Sequence, residues 1–204
     1  MLAAIGSARC GYIFPVAPND LLPTAQSQFL CTLELVGDGD WDRPTPCDAW
    51  RVRDLVAHLV SGEHMVVALL DGASTDEARA LIGSVRTDGD LRAALSSAFA
   101  ASRAAFDGPG ALERMVHHPV GDVTGSQLRD FRVGDATLHA WDLARAIGAD
   151  ESLDPALVDA VWTQLEPLSA VIGSIGLFGD GPSGALGADD DPQRRLLDLT
   201  GRRP

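Results

Sequence analysis

Apolar residues recur at a spacing of about 3.6 along most of this chain, and this periodicity limits the possible folds more than any other feature. Apolar residues three or four apart lie on one face of a helix, and that face must be buried against another element. No segment shows the strict alternation that is typical of a half-buried strand. The predicted helices span residues 21–36, 52–70, 89–106, 127–147 and 155–172, with a short helix over 193–199.

Four of these helices are long and amphipathic, and such helices pack most simply as an antiparallel bundle. We therefore predict an all-α fold, an antiparallel four-helix bundle with an additional helix and a C-terminal tail. Residues 1–18 show neither helical periodicity nor the pattern of a signal sequence. We expect them to form a loosely ordered extension, and residues 19–204 to form the bundle.

Charge and cysteine content narrow the classes of partner. The net charge of −13 repels phosphate backbones and anionic lipid surfaces, so we expect neither nucleic acid nor membrane as a partner. No apolar run reaches the length of about 18 residues that a membrane-spanning helix needs. Three cysteines at unrelated spacings do not support a disulfide framework, and we expect the reducing cytoplasm as the location.

A carboxylate and two imidazoles occupy positions that suit a metal site. Asp135 and His139 are four residues apart on one predicted helix, so they share a face. His58 belongs to another predicted helix, and its spacing from Leu55 and Gly62 places it on the inward face. Two nitrogens and one oxygen, with a fourth position open, are the ligands of a catalytic zinc site. We predict that these three side chains bind a divalent metal.

Simpler interpretations of the same residues stay open. His58 could be a core histidine that is hydrogen-bonded to a neighbouring helix, and Asp135 and His139 could form an exposed helical pair. Asp142, three residues after His139, could be a fourth ligand, a carboxylate that orients an imidazole N–H, or a partner for Arg145. We favour the last two roles.

Other candidates are weaker. His64 lies six residues from His58, far around the helix, and should be solvated. His117 and His118 lie in an extended segment that could close over a pocket, although histidines in loops are usually only polar surface. Cys47 is either a thiol near the site or a small packing residue, and we expect Trp50 to be a packing residue.

Three segments resemble a known family. Residues 41–50, WDRPTPCDAW, and 52–60, VRDLVAHLV, resemble the opening of the mycothiol-dependent maleylpyruvate isomerase family, a branch of the DinB-like four-helix bundles. Residues 138–148, LHAWDLARAIG, resemble its second signature. Residues 195–204, RLLDLTGRRP, resemble the ending of a single-domain actinobacterial subgroup of metal-binding proteins.

The resemblance implies a DinB-like bundle with a divalent metal, which we expect to be zinc, held by His58, Asp135 and His139. Asp135 stands where the family commonly has glutamate, which is one methylene longer. The isomerases also carry a second, C-terminal domain for which 204 residues leave no room. This argues against maleylpyruvate itself as the substrate.

The function that the resemblance implies is a mycothiol-type, thiol-dependent transferase or isomerase that acts on a small electrophilic metabolite. A metal deprotonates a thiol that it binds, and the thiolate is the nucleophile. The alternatives are a thiol-independent hydrolase, lyase or cyclase of specialised metabolism, which would use the metal as a Lewis acid, and a non-catalytic metal-binding module. The expected partners are a small-molecule substrate and a low-molecular-weight thiol, and a homodimer is left open.

Overall fold

The structure, a computed structural model, describes residues 21–204, so the extension predicted over residues 1–18 lies outside the described residues. Within 21–204 it contains seven α-helices and one β-hairpin. The elements are α1 Leu22–Glu34, α2 Val52–Leu70, α3 Thr75–Leu81, α4 Leu91–Phe106, β1 Met115–His118, β2 Gly121–Thr124, α5 Gly125–Ile147, α6 Pro155–Leu165 and α7 Pro192–Leu199. Two short 3-10 turns, Glu166–Leu168 and Ile172–Ser174, follow α6.

The four long helices α1, α2, α4 and α5 form the antiparallel bundle that the apolar stripes predict. Each of them contacts two of the others, because α2 packs on α4 and α5, and α1 packs on the same two helices. Large apolar side chains fill the centre, where the rings of Phe29 and Phe99 meet edge to face with 6.5 Å between their centroids. Burial of such rings supplies much of the driving force for packing.

Helix α2 has the bounds that the sequence predicts, although Arg51 is a poor residue for its N-terminal cap. The backbone N–H of Arg51 donates to Oδ2 of Asp54 at 2.9 Å. The carboxylate in the first turn thus supplies an acceptor for an N–H group that has no partner within the helix. The Arg51 guanidinium turns away and donates to the carbonyl of Asp42 at 2.7 Å. Helix α2 therefore starts at a fixed residue, which sets the direction of His58.

Helix α5 begins at Gly125, two residues before the predicted start, because Thr124 and Gln127 form a capping box. Oγ1 of Thr124 accepts from the Gln127 N–H at 3.2 Å, and the Thr124 N–H donates to Oε1 of Gln127 at 2.9 Å. Gly148 ends the helix with a φ of 73°, the left-handed conformation that glycine adopts at little cost.

Three further helix boundaries differ from the prediction by two residues or more. The fifth predicted helix ends at Leu165 rather than at residue 172, because Pro167 has no N–H to donate to the carbonyl four residues back. Helix α1 ends at Glu34, two residues early. Helix α4 begins at Leu91 rather than at residue 89, since Oδ1 of Asp90 caps it by accepting from the Ala93 N–H at 3.1 Å.

Two elements were not predicted. Helix α3 is short, and a capping box between Ser74 and Glu77 starts it, with the Ser74 N–H donating to Oε2 of Glu77 at 2.8 Å. The hairpin β1–β2 replaces the predicted extended segment, and its buried pair is Val116 and Val123. Each strand has only four residues, which is too short to show alternation. No helix of residues 21–204 is long and apolar enough to cross a membrane.

Candidate metal centre

The packing of α2 against α5 brings the three predicted ligands together. Nε2 of His58 and Nε2 of His139 each lie 3.3 Å from Oδ1 of Asp135. One donor atom from each residue lies within 4.8 Å of the other two. The two imidazole rings meet edge to face, with 5.1 Å between their centroids.

The donor set and its spacing fit a divalent metal. Zinc binds nitrogen and oxygen at about 2.0–2.1 Å in tetrahedral sites, where neighbouring ligand atoms lie about 3.3 Å apart. The two nitrogen–oxygen distances match that edge. The side chains are 32% exposed for His58, 22% for Asp135 and 10% for His139, so the cluster opens to solvent on the side of His58. Three candidate ligands beside an open side would suit a catalytic metal site better than a structural one, which is closed by four protein ligands.

The carboxyl group of Asp135 is held in its ionised form. Burial would raise its pKa, but the charge of Arg132, together with those of His58 and His139, holds the pKa well below the usual value. Nη1 of Arg132 lies 2.8 Å from Oδ2 of Asp135, in an ion pair rather than a well-aligned hydrogen bond. Arg132 therefore holds one oxygen of Asp135 while the other faces the two histidines.

Arg132 is itself fixed by a buried ion pair. Its Nε donates to Oε1 of Glu63 at 2.9 Å, and the Glu63 side chain is only 1% exposed. The guanidinium lies against the backbone of α2 at Gly62, where a Cβ atom would come within 2.6 Å of Nη1. Glycine at this position makes the close approach possible.

Sequence reasoning used Gly62 only as a marker of the inward face, and it did not single out Arg132 or Glu63. One signal was available. Glu63 lies in the same inward-facing part of α2 as Leu59 and Val66, where an unpaired carboxylate would be costly to bury.

On the other side of the site, Asp142 orients His139. Oδ2 of Asp142 lies 2.8 Å from Nδ1 of His139, and Asp142 is completely buried. Burial would raise the pKa of Asp142, but the hydrogen bond from His139 and the charge and hydrogen bonds of Arg202 lower it to about 2. An ionised carboxylate can only accept, so Nδ1 of His139 carries the proton and Nε2 faces Asp135.

The other role favoured for Asp142, a partner for Arg145, is not what the structure shows. Nε of Arg145 donates instead to Oε1 of Glu151 at 2.6 Å. The guanidinium of Arg145 also lies over the ring of Trp141, 4.4 Å from its centroid. Arg145 therefore belongs to the surface around the end of α5 and not to the site.

Cys47 lies beside the buried carboxylate of Asp142. Its Sγ donates to Oδ2 of Asp142 at 3.3 Å and lies 3.8 Å from Nδ1 of His139. Cys47, His139 and Asp142 thus form a second group with metal-ligand atoms in range. This group fits a metal poorly, because Nδ1 of His139 holds a proton and Arg202 already occupies both oxygens of Asp142.

Trp50 packs against the core, as predicted, and its ring also lies at the site. Its ring centroid is 4.7 Å from that of His58 and 5.8 Å from that of His139, and the residue is half-buried. The indole therefore forms one wall of the opening. The prediction missed this role because the turn before α2, and not a helical spacing, sets the direction of the ring.

The remaining histidines are placed apart from the three candidate ligands. His64 is exposed on α2, as predicted. His117 lies on β1, where its Nδ1 is 2.8 Å from Oδ1 of the exposed Asp122. The ring of His118 packs on Phe131, with 5.5 Å between the centroids, and Phe131 precedes Asp135 on α5 by one turn.

A comparison with protein families settles the family. The family described as "Mycothiol maleylpyruvate isomerase N-terminal domain" matches residues 22–144, which is more than half of the chain. The chain belongs to this family. The matched range includes His58, Asp135, His139 and Asp142.

This chain is also similar to two uncharacterized proteins of Mycobacterium tuberculosis, one from strain CDC 1551 / Oshkosh and one from strain ATCC 25618 / H37Rv. Each is 35% identical over 168 residues, covering 82% of this chain and 84% of the relative.

Solved structures confirm the fold class. The crystal structure of the mycothiol-dependent maleylpyruvate isomerase matches with a TM-score of 0.58 at 19% identity, and that of a histidine-to-alanine mutant matches with 0.57 at 18%. Each match covers 71% of this chain and 66% of the isomerase chain. The fold is therefore the predicted DinB-like four-helix bundle. At this identity the likeness concerns the fold alone, and the chain spans just under two thirds of the isomerase.

Proposed function

We propose that this family member binds a divalent metal, with zinc as the expected ion, through His58, Asp135 and His139. We further propose that it uses a low-molecular-weight thiol of the mycothiol type. The protein would either transfer this thiol to a small electrophilic metabolite or use it to isomerise the metabolite. The observation that carries the proposal is the convergence of two Nε2 atoms on one carboxylate oxygen, both at 3.3 Å, beside an open side of the bundle. Family membership supports the thiol.

The surrounding residues have distinct tasks in this proposal. A bound metal would supply Lewis acidity that lowers the pKa of a thiol or a water molecule in the open position. Asp142 keeps the proton of His139 on Nδ1, so that Nε2 is free to act as a ligand. Arg132 keeps Asp135 ionised and holds its second oxygen. Trp50 offers an apolar wall against which a small substrate can lie.

The location and assembly are part of the proposal. A thiol cosubstrate must stay reduced, which the cytoplasm provides. A homodimer stays a prediction, and sedimentation velocity at several concentrations would test it.

Elemental analysis of protein purified without a histidine tag is the first test, and we expect one zinc or related divalent ion per chain. The protein is then stripped with chelator, reloaded with zinc and mixed with mycothiol and a bimane electrophile. We expect the protein to speed the consumption of the electrophile only when both the metal and the thiol are present. His58→Ala should abolish metal binding and turnover, whereas His64→Ala, which changes an exposed histidine of the same helix, should leave both unchanged.

The other outcomes separate the alternatives. A protein without stoichiometric metal, before and after reloading, would contradict the proposal. Turnover of a metabolite by the metal-loaded protein without thiol would instead favour a hydrolase, lyase or cyclase. Stable metal binding with no turnover, and no exchangeable water on the ion, would favour a non-catalytic binding module.

A further inference from the structure

The buried carboxylate of Asp142 has more donors than the orientation of one histidine requires. Besides Nδ1 of His139 and Sγ of Cys47, it accepts two hydrogen bonds from Arg202. Nε of Arg202 donates to Oδ1 at 2.8 Å, and Nη2 donates to Oδ2 at 2.6 Å. This two-point pairing fixes both oxygens in one plane, the geometry that a guanidinium forms with a carboxylate and that an ammonium cannot.

Arg202 belongs to the C-terminal tail, 60 residues from Asp142 along the chain. The tail reaches α5 because Leu196 and Leu197 of α7 are buried in the core. The Arg202 N–H donates to the carbonyl of Leu197 at 2.9 Å, which turns the chain back immediately after the helix. The Arg202 side chain is then only 10% exposed and lies beside Asp142.

Gly201 makes this turn possible. Its φ is 78°, and a Cβ atom there would lie 2.7 Å from Cα of Gly179 and 2.8 Å from the backbone nitrogen of Asp180. Only glycine satisfies both the left-handed conformation and the close backbone approach. Packing of the tail therefore holds Arg202 in place independently of its charge.

The charges explain what Arg202 does there. Asp142 is ionised inside the protein, and a buried charge is stable only when it is paired and hydrogen-bonded. If His139 binds a metal through Nε2 and is itself neutral, the cation that faces Asp142 is Arg202. Without Arg202, both oxygens of Asp142 would lose the hydrogen bonds that fix their plane, and Oδ2 would no longer be held toward Nδ1 of His139.

We propose that Arg202 is a positioning residue of the metal centre, which holds Asp142 and, through it, the metal-binding nitrogen of His139. The inference rests on the proposed function and extends it. The affinity of the site for its metal therefore depends on Arg202, although the guanidinium hydrogen-bonds to Asp142 and not to any of the three candidate ligands.

The test compares Arg202→Ala, Arg202→Lys and the neighbouring Arg203→Ala in the full chain. Arg203 is a matched control, because it is half exposed and pairs with Asp198 rather than with the site. Zinc affinity is measured by competition with a chromogenic chelator. Loss of a group that orients a ligand typically weakens metal binding about 10–100-fold, and we expect a loss of that size for Arg202→Ala. Arg202→Lys should recover only part of it, and Arg203→Ala should bind as the wild type does.

A second readout separates positioning from mere anchoring of the tail. In ¹H–¹⁵N spectra of the metal-free protein, the Nδ1 proton of His139 should give a protected downfield resonance. We expect this resonance to broaden or disappear in Arg202→Ala and to persist in Arg203→Ala. In an Asp142→Asn background, Arg202→Ala should lower zinc affinity no further, because a shared route gives non-additive effects.

The outcomes of the two experiments are distinguishable. If the wild type binds no zinc, the proposed function fails, whereas the His139 resonance tests Arg202 in either case. An Arg202→Ala protein with wild-type zinc affinity and an unchanged resonance would show that Arg202 only anchors the tail. If circular dichroism shows that Arg202→Ala does not fold, Arg202→Lys decides, and a lysine variant that matches the wild type in both readouts would overturn the inference.

Discussion

Substitution of Gly62 by alanine tests how tightly the site is built. Alanine is a better helix former than glycine, so propensity alone predicts that Gly62→Ala stabilises α2 by about 1 kcal/mol. The structure predicts the opposite sign. The new Cβ would lie 2.6 Å from Nη1 of Arg132 and 2.8 Å from its Cζ and Nη2, which is closer than non-bonded atoms approach. The guanidinium has to move.

Movement of Arg132 is costly because the side chain is enclosed and doubly paired. It is only 7% exposed, and its displacement leaves the almost fully buried Glu63 without a counter-charge. Loss of one partner of a buried ion pair costs about 3–5 kcal/mol, and the helix gain offsets about 1 kcal/mol, so we expect a net loss of about 2–4 kcal/mol. Asp135 also loses its cation, so zinc binding should weaken.

The assay is urea unfolding of the metal-free protein, followed by circular dichroism, together with zinc competition. The control is Gly134→Ala in the interior of α5, beside Asp135. A Cβ at Gly134 would meet Oε1 of Gln164 at 3.5 Å and Cγ1 of Val161 at 3.8 Å, which are ordinary contacts. We expect this variant to be slightly more stable than the wild type. A Gly62→Ala protein that gains stability as Gly134→Ala does would refute the reasoning.

Two further predictions concern the ligands and the wall of the site. Burial alone would lower the pKa of His139, but Asp135, with Asp142 and Cys47, raises it well above the usual value in the metal-free protein. Zinc must therefore displace a proton from His139, so the zinc affinity should rise from about pH 6 to pH 8. Calorimetry in buffers of different ionisation enthalpy would measure the released proton. Equal zinc affinity across this pH range would contradict the prediction. Trp50→Ala should leave the zinc affinity unchanged and raise KM for the electrophile about 2- to 10-fold. This change is expected because the substrate loses one aromatic contact, which is worth about 0.5–1.5 kcal/mol. Trp162→Ala, on α6 and paired with Arg195, is the control, and an equal effect of both substitutions would argue against a substrate wall at Trp50.

The sequence predicts most of the fold because the long helices carry continuous apolar stripes. Helix α2 has its predicted bounds, and α5 differs only at its start, where the capping box of Thr124 and Gln127 was not used. The same kind of signal, Ser74 with Glu77, marks the helix α3 that was missed. The predicted fifth helix was too long because periodicity continues past Pro167, while backbone hydrogen bonding cannot.

The candidate site, like the fold, can be predicted only in part from the sequence. Local spacing selects Asp135 and His139 as a pair, and the inward stripe of α2 selects His58. The contacts that fix these groups come from residues distant in sequence. Arg202 reaches Asp142 only through the packing of α7, and Arg132 reaches Glu63 only through the gap at Gly62. Such pairings depend on tertiary structure, which no pattern within one helix reveals.

Anomalous diffraction at the zinc absorption edge, from crystals of the zinc-loaded protein, would locate the metal directly. We expect a single strong peak within about 2.0–2.2 Å of Nε2 of His58, a carboxylate oxygen of Asp135 and Nε2 of His139, with a fourth position open toward Trp50. A peak bonded to other residues, or zinc-loaded crystals with no peak between α2 and α5, would contradict this expectation.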